Sequence, residues 1–127
     1  MDDVTLGDRE LDVMAVLWEM GCGTVGEVRE RLDADLAYTT VLTILRNLEA
    51  KQCVSRKEEG RAHRYYPRVA QRSAQRSAVA RLVNTLFEGS HEQLLARLVD
   101  DRALSAEELR RLARRVREQG RKKGGDR

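Results

Sequence analysis

Apolar residues recur with helical spacing along positions 37 to 51 and leave the other side of that segment polar. An i, i+3, i+4, i+7 pattern predicts a helix that buries one stripe of side chains. That stripe consists of Val41, Ile44, Leu45 and Leu48. At about 100° per residue, the face pointing away from the stripe carries Thr39, Thr43, Arg46 and Ala50, flanked by Thr40 and Asn47 on one side and Leu42 on the other.

The polar face of this helix has the residue types that read base edges in DNA. Arginine can bond guanine bidentately, asparagine can do the same for adenine, and threonine or leucine methyls can contact the thymine methyl. Arg46, Asn47, Thr43 and Leu42 supply these groups. The alternative is an ordinary core helix with one solvated face, and the stretch by itself leaves both interpretations open.

Two shorter helices are predicted before this one. The first begins after Gly7, with Asp8 as its N-cap, and ends near Met20, where Gly21 stops it. After an extended link with room for one small strand, the second begins at a capping box formed by Thr24 and Glu27 and ends near residue 33. Two short helices separated by a few residues, the later one with a polar face, are typical of a helix-turn-helix.

A β-hairpin is predicted next. The stretches CVSRKE and AHRYYP are rich in β-branched or aromatic residues, and the connection between them contains Gly60. Three helices followed by a hairpin are typical of a winged helix, so the predicted fold class is mostly α with a small β-hairpin wing (α+β). Lys57, Arg61 and Arg64, at or beside the hairpin tip, are expected to contact DNA phosphates, although each alone is also an ordinary solvated charge.

The chain changes character after Pro67. A long helix is predicted from about 69 to 87, with Val79, Leu82, Val83 and Leu86 facing inward, and capping boxes at Ser90 and Ser105 open two further helices. About 50 residues in three helices make a poor core alone, which predicts burial against a second copy. The predicted dimer interface contains Leu82, Leu86, Leu94, Leu95, Leu98, Leu109, Leu112 and Val116.

These elements divide the chain into three predicted parts. Residues 1–69 are a winged-helix DNA-binding domain, residues 70–119 a three-helix dimerisation domain, and residues 120–127 a disordered basic tail. The charge distribution supports the division. Residues 1–36 carry three basic and ten acidic side chains, whereas residues 37–76 carry nine and three, so basic charge begins where the polar-faced helix begins.

Other classes of function find little support in the sequence. His63 and His91 are the only histidines and neither lies in a catalytic spacing, so no catalytic residues are predicted and the protein is not expected to be an enzyme. Cys22 and Cys53 belong to no metal-ligand cluster, so we expect reduced thiols and neither metal nor cofactor. No apolar run is long enough to span a bilayer, and we expect a soluble, cytoplasmic protein without membrane insertion.

The stretches LAYTTVLTILRNLEAK and RAHRYYP, together with GDRELDVMAVLW, closely resemble the BlaI/MecI/CopY family of bacterial repressors. The similarity covers about residues 4–118. It implies a winged-helix N-terminal domain, a helical dimerisation domain and repression of resistance or stress operons. Matching positions imply that the DNA-facing residues are Tyr38, Thr39, Thr40, Thr43 and Arg46, with Arg61 and Arg64 from the wing.

The resemblance also implies mechanisms by which such a repressor is released from DNA. This chain lacks some of the residues on which those mechanisms depend. In members of the β-lactam branch, a membrane sensor protease of the BlaR/MecR type leads to cleavage of the repressor at an asparagine-phenylalanine segment. The corresponding residues here are Gly89-Ser90-His91-Glu92, which argues against that route. The C-terminal cysteine pairs of copper-responsive members are absent, and Asn47 replaces an arginine common in the third helix of the family.

The function predicted from the sequence is therefore a homodimeric transcriptional repressor. It would bind double-stranded DNA at a pseudo-palindromic operator, with helix 37–51 in the major groove. The alternative is a winged helix that binds another protein. That version should carry large apolar anchors where this chain has Thr39 and Thr43.

Overall fold

A computed structural model describes residues 5–125 and contains the predicted succession of helices and strands in its first half. Helix α1 covers Asp8–Met20, strand β1 Gly23–Thr24, helix α2 Val25–Arg31 and helix α3 Tyr38–Ala50. The hairpin follows as β2, Val54–Glu59, and β3, Ala62–Pro67.

The ends of α1 differ in one detail from the prediction. Asp8 is already helical, and Gly7 occupies the N-cap position with extended backbone angles, so the prediction of Asp8 as the N-cap was wrong. The Gly7 N–H donates to Glu10 Oε1 over 2.9 Å, which satisfies one exposed donor without a side chain at the cap. At the other end, Gly21 adopts φ 87°, a conformation that favours glycine and ends the helix as predicted.

The capping box of α2 is confirmed. Glu27 N–H donates to Thr24 Oγ1 over 3.2 Å, and Thr24 N–H donates to Glu27 Oε1 over 3.1 Å. Thr24 also lies in β1, which pairs antiparallel with β3 through Gly23 and Tyr65. Strand order is therefore β1-β3-β2, and the wing is joined to the start of α2 through a shared sheet.

The core of the first unit lies between α1, α2, α3 and one face of the sheet. Its largest fully buried side chains include Tyr65, Met14, Leu17 and Leu45. Trp18 Nε1 donates to the Val69 carbonyl over 2.9 Å, which attaches the segment after the hairpin to α1. The predicted fold class, mostly α with a small β-hairpin wing, is confirmed.

The remaining helices are α4, Gln71–Leu86, α5, His91–Asp100, and α6, Ala106–Gly125. The chain divides into two compact units between Ala80 and Arg81, inside α4, whereas the predicted boundary lay between residues 69 and 70. Because α4 is continuous across this boundary, no turn residue in the sequence marks its position. The predicted boundary was placed where the composition changes, after the hairpin.

Within a single chain, only Val83 of the four α4 residues predicted to face inward is buried, and Leu86 is 67% exposed. Burial of Leu82 and Leu86 against a second copy stays a prediction. The tail predicted to be disordered is helical as far as Gly125, since arginine, lysine and glutamine propagate a helix well and Gly120 does not end it. The last two residues of the predicted tail lie outside the described residues.

Candidate nucleic-acid interface

Helix α3 has one buried side and one exposed side. Val41, Leu45 and Leu48 are fully buried and Ile44 nearly so, which holds α3 against the core. Contacts with α1, α2 and β2 surround that side. The exposed residues of α3 include six of the predicted DNA-contacting residues: Tyr38, Thr39, Thr40, Thr43, Arg46 and Asn47.

Leu42 differs from its neighbours. It is half-buried and packs against the hydrophobic core, so only part of its side chain is open to solvent. Its predicted contact with a thymine methyl would therefore come from the edge of the exposed face. The hydroxyl of Thr43 already has a hydrogen-bond partner within α3, because its Oγ1 donates to the Thr39 carbonyl over 2.9 Å. The proton is used inside the helix, so Thr43 offers its methyl and an acceptor lone pair to the outside.

The N-terminus of α3 is open. Ala37 at the N-cap has no side chain that accepts from the first turn, and the first turn contains no acidic residue. The first backbone bond of the helix runs from Val41 N–H to the Ala37 carbonyl over 3.1 Å. The N–H groups of Tyr38, Thr39 and Thr40 therefore lack intrahelical acceptors, and such groups attract phosphate oxygens.

The connection between α2 and α3 is tied to α2. Arg29 Nε donates to the Leu36 carbonyl over 2.8 Å, and Leu32 packs partly against the core. These contacts hold the two helices of the helix-turn-helix at a set spacing. Because the position of α3 is determined by the core and this turn, its exposed face is preorganised for a partner.

The hairpin tip is formed by Gly60 and Arg61 between Glu59 and Ala62. Gly60 has φ 62°, and Arg61 is exposed with no carboxylate within salt-bridge distance among the described residues. Lys57 is also exposed, and its Nζ lies 5.7 Å from the centroid of the Tyr66 ring. A cation over an aromatic ring at an exposed site gains only about 0.5–1 kcal/mol, so Lys57 remains available to an anion.

Arg64 has a different environment from the one expected. Its guanidinium donates to Glu27 Oε1 through Nη1 and to Glu59 Oε2 through Nη2, both over 2.8 Å. A longer contact of 3.7 Å joins Nη1 to Cys22 Sγ, and the Arg64 side chain is 20% exposed. The structure thus places Arg64 as a link between the wing and the start of α2, with its donors directed at carboxylates of the protein.

The hydrogen bonds between Arg64 and the two carboxylates shift the pKa values of all three groups. The hydrogen bonds from Arg64 and from the Thr24 N–H lower the pKa of Glu27, and the hydrogen bond from Arg64 lowers the pKa of Glu59. Hydrogen bonds to Glu59 and Glu27 in turn raise the pKa of Arg64. All three groups are therefore charged at neutral pH, and we call Glu27, Glu59 and Arg64 the wing clamp.

We expect Arg64→Gln to lower the thermal stability at pH 7 and to weaken its dependence on acid pH. The folded-state pKa values of Glu27 and Glu59 lie below the ordinary 4.5, so their stabilisation is present above that value. It is lost as pH falls through the lowered folded values. Thermal denaturation of wild type and variant from about pH 7 to pH 3 measures the difference.

Arg56→Gln is the matched control, because Arg56 lies on the same hairpin and pairs with Glu49 over 3.3 Å without touching the wing clamp. Parallel loss of stability with acid in wild type and Arg64→Gln would contradict the role of the clamp.

Sequence reasoning did not identify Glu27 and Glu59 as partners of Arg64. The capping pattern revealed one role of Glu27, but its carboxylate also reaches a residue that is 37 positions away. The signal for Glu59 was present in the hairpin register. Glu59 and Arg64 lie on the same face of the sheet, since Lys57 pairs with Arg64 and side chains alternate along β2.

The predicted dimerisation residues occupy exposed or half-buried positions in the second unit. Leu94, Leu98 and Leu109 are half-buried, while the other five remain exposed. The exposed fractions are 40% at Leu82, 67% at Leu86, 43% at Leu95, 40% at Leu112 and 67% at Val116. Helix α5 has no buried residue at all. The unit therefore presents apolar side chains that a single chain leaves in water.

The two cysteines and two histidines lie in different segments of the chain: Cys22 before β1, Cys53 before β2, His63 in β3 and His91 at the start of α5. Cys53 is buried, and burial raises the pKa of its thiol, while Cys22 is half-buried beside the wing clamp. Across the described residues, no cluster of three or more histidine, cysteine or acidic side chains has a metal-binding arrangement. None of the described helices combines the length and apolar character that crossing a membrane requires.

Known proteins have sequences similar to this one over most of its length. The family model described as penicillinase repressor matches residues 6–118. The transcriptional regulator BlaI of Mycobacterium tuberculosis is 49% identical over 65 residues, which cover 49% of this chain and 47% of that protein, so the match spans about half the length of this relative. The methicillin resistance regulatory protein MecI of Staphylococcus aureus is 22% identical over 116 residues, covering 88% of this chain and 94% of MecI.

Solved structures give the same result for the fold. The solution structure of the DNA-binding domain of the repressor BlaI aligns with a TM-score of 0.50 and 28% identity, covering 55% of this chain and 88% of that domain. The YusO protein of Bacillus subtilis aligns with a TM-score of 0.52 over 91% of this chain and 75% of YusO, and at 18% identity this shows the fold alone. The chain therefore belongs to the penicillinase repressor family, a family of transcriptional repressors of the BlaI and MecI kind and not of enzymes.

Proposed function

We propose that the protein is a homodimeric transcriptional repressor that binds a pseudo-palindromic operator, with α3 in the major groove. The observation that carries the proposal is the exposed polar face of α3, whose opposite side is buried in the core. Its likeness to the DNA-binding domain of BlaI supports a DNA-binding role for this half of the chain. Tyr38, 49% exposed, is the only exposed large apolar side chain in α3, so the helix lacks the apolar anchors of a protein-binding version.

The side chains of α3 divide into base-reading and positioning groups. Arg46 and Asn47, exposed in the second half of the helix, have the donors and acceptors that pair with guanine and adenine. Thr43 contributes its methyl or an acceptor, and Thr39 a hydroxyl. Tyr38, Thr40 and the open N–H groups of the first turn are suited to phosphates, which set the register of α3 in the groove.

The wing supplies a second set of phosphate contacts. We assign these to Arg61 and Lys57, which are exposed, and we reassign Arg64 to the wing clamp, since its donors are satisfied by Glu27 and Glu59. Arg64 then acts indirectly by holding the hairpin against the start of α2. A hairpin held in this way would present Arg61 to the DNA at a defined distance from α3.

The exposed apolar residues of the second unit support the homodimer. Each copy leaves Leu86, Leu112 and Val116 open, and a symmetric contact between two copies would bury the same patch twice. Two copies would read two half-sites, which explains why a pseudo-palindrome is expected. A cytoplasmic location remains a prediction from the sequence, which has no apolar run long enough to span a bilayer. Release by a membrane sensor protease of the BlaR/MecR type remains an implication of the resemblance, and the departure at residues 89–92 argues against it.

Footprinting of the purified protein on DNA upstream of its own gene tests the proposal. Protection of a short inverted repeat is the expected result, because repressors commonly lie beside their targets. Binding must weaken log-linearly with salt if phosphates are neutralised. Salt-insensitive binding to a protein partner, together with no protected DNA, would favour the protein-interaction module instead.

Arg61→Ala is expected to weaken binding to the operator and to random duplex by the same factor. The slope of log affinity against log salt should fall by about 0.9 for each phosphate that the variant no longer neutralises. Fluorescence anisotropy at several salt concentrations measures both quantities. Arg56→Ala is the control, because Arg56 lies on the same hairpin and is paired with Glu49 of α3. A change of base preference in Arg61→Ala would show that Arg61 reads sequence.

A further inference from the structure

Four arginines form a line along α6, which the proposed contacts of α3 and the wing do not include. They occur at i, i+4, i+7 and i+11, so at about 100° per residue they fall within about 60° of one another. The line rises about 17 Å along the helix. We call this set the arginine stripe; it comprises the exposed residues Arg110, Arg114, Arg117 and Arg121.

Among the described residues, the arginine stripe forms no ion pair with the three acidic side chains of its own helix. Glu107 and Glu118 lie about 60–80° around the helix from Arg110 and Glu108 about 160°, and Glu107 pairs with Arg111 over 3.6 Å. Among the described residues, no carboxylate lies within 4.0 Å of a guanidinium of the arginine stripe. Like charges at i+4 destabilise a helix by a few tenths of a kcal/mol, so α6 keeps the line at a small cost in free energy.

The arginine stripe is also separated from the apolar side of α6. Leu109, Leu112 and Val116 lie about 100–160° around the helix from Arg110. If that apolar side is buried in the proposed dimer, the arginine stripe stays in water. It is then a basic surface with four arginines in line, directed away from the contact between copies.

We propose that the arginine stripe binds the phosphate backbone of duplex DNA without sequence preference, as a second polyanion surface beyond α3 and the wing. Guanidinium groups bind phosphate bidentately, and a duplex presents about one charge per 1.7 Å of axis, so a line of this length meets several phosphates. A lipid surface fits less well. Lipid-binding helices insert an apolar face rich in bulky side chains, and Ala106–Gly125 contains no aromatic residue.

Two double variants of the full chain test the proposal. Arg114→Gln/Arg121→Gln removes half of the arginine stripe, while Arg111→Gln/Arg115→Gln removes the same charge from the adjacent face of the same helix. Glutamine keeps helix propensity, and circular dichroism together with sedimentation confirms fold and oligomeric state. The probe is a random-sequence duplex, titrated by fluorescence anisotropy between about 0.05 and 0.2 M salt.

We expect the stripe variant to bind the random duplex at least about tenfold more weakly at 0.1 M salt, with a salt slope reduced by about 0.9 for each phosphate left without its arginine. The control variant should remain within about twofold of wild type. Equal losses in both variants would overturn the proposal in favour of a general effect of net charge, and so would no loss in either. Binding to vesicles of anionic phospholipid that depends on the arginine stripe, without an effect on DNA, would overturn it in favour of a membrane surface.

The test separates this proposal from the operator-binding function. If α3 does not read an operator, preference for the operator over random duplex is missing in wild type, yet the effect of the stripe variant on random duplex persists. If the arginine stripe does not bind DNA, the stripe variant keeps both its affinity for random duplex and its operator preference.

Discussion

Leu112→Asp is expected to convert the protein from a dimer to a monomer and to abolish high-affinity operator binding. Leu112 lies on the apolar side of α6 with Leu109 and Val116, and it is 40% exposed in the single chain. An aspartate placed in a contact between two copies would lose its water without gaining a partner, at a cost of several kcal/mol. Sedimentation velocity measures the oligomeric state, and operator titration measures the loss of the second half-site.

Ala106→Asp is the control for that experiment. It adds the same charge to the first turn of α6, outside the apolar side, where a carboxylate is favourable to the helix. This variant should remain dimeric. A Leu112→Asp protein that sediments as a dimer would show that the copies associate through another surface, and the exposed residues of α4 and α5 would be the next to test.

Arg46→Ala is expected to weaken operator binding by about 1–3 kcal/mol and to relax the preference at one base pair in each half-site. The arginine is exposed on α3, whereas its neighbour Leu45 is fully buried, so the substitution removes a side chain from the exposed face without disturbing the core. Alanine also favours the helix. Titration against operators mutated at each position measures the affinity and the base preference together.

Arg9→Ala removes the same charge from α1, where Arg9 pairs with Asp12 over 3.3 Å, and should leave the base preference unchanged. If Arg46→Ala weakened all sequences alike, Arg46 would be a phosphate contact and not a base-reading residue. Asn47 would then be the better candidate for the lost specificity, since it is the other exposed side chain on α3 with a bidentate pairing pattern.

The elements of the first unit were accessible from sequence because their signals are local. The spacing of Val41 and Leu45 within one turn of helix, and the Thr24–Glu27 pair within another, depend on residues three or four positions apart. The hairpin connection at Gly60 is equally short-range. In each case the backbone hydrogen bonds that form the element lie close to the residues that specify it.

The environment of Arg64 was not accessible in the same way. Its sequence neighbours suggested a cation beside a hairpin tip, free to meet a phosphate. Packing of β1 against β3 brings the Glu27 carboxylate to its guanidinium, and this contact depends on a strand pair between residues 23 and 65. A charge that looks free in sequence can therefore be neutralised by a residue from another element.

Periodicity indicated which face of each helix is apolar, because that property depends only on the order of residues along a single helix. It predicted the exposed face of α3, the apolar sides of α5 and α6, and the order of helices and strands. Whether an apolar face is covered within one chain depends on contacts between distant segments, and so does the pairing of a charge. Only the tertiary structure therefore shows that α3 is held against the core, that the α4 leucines are exposed in a single chain, and that Arg64 joins the wing to α2.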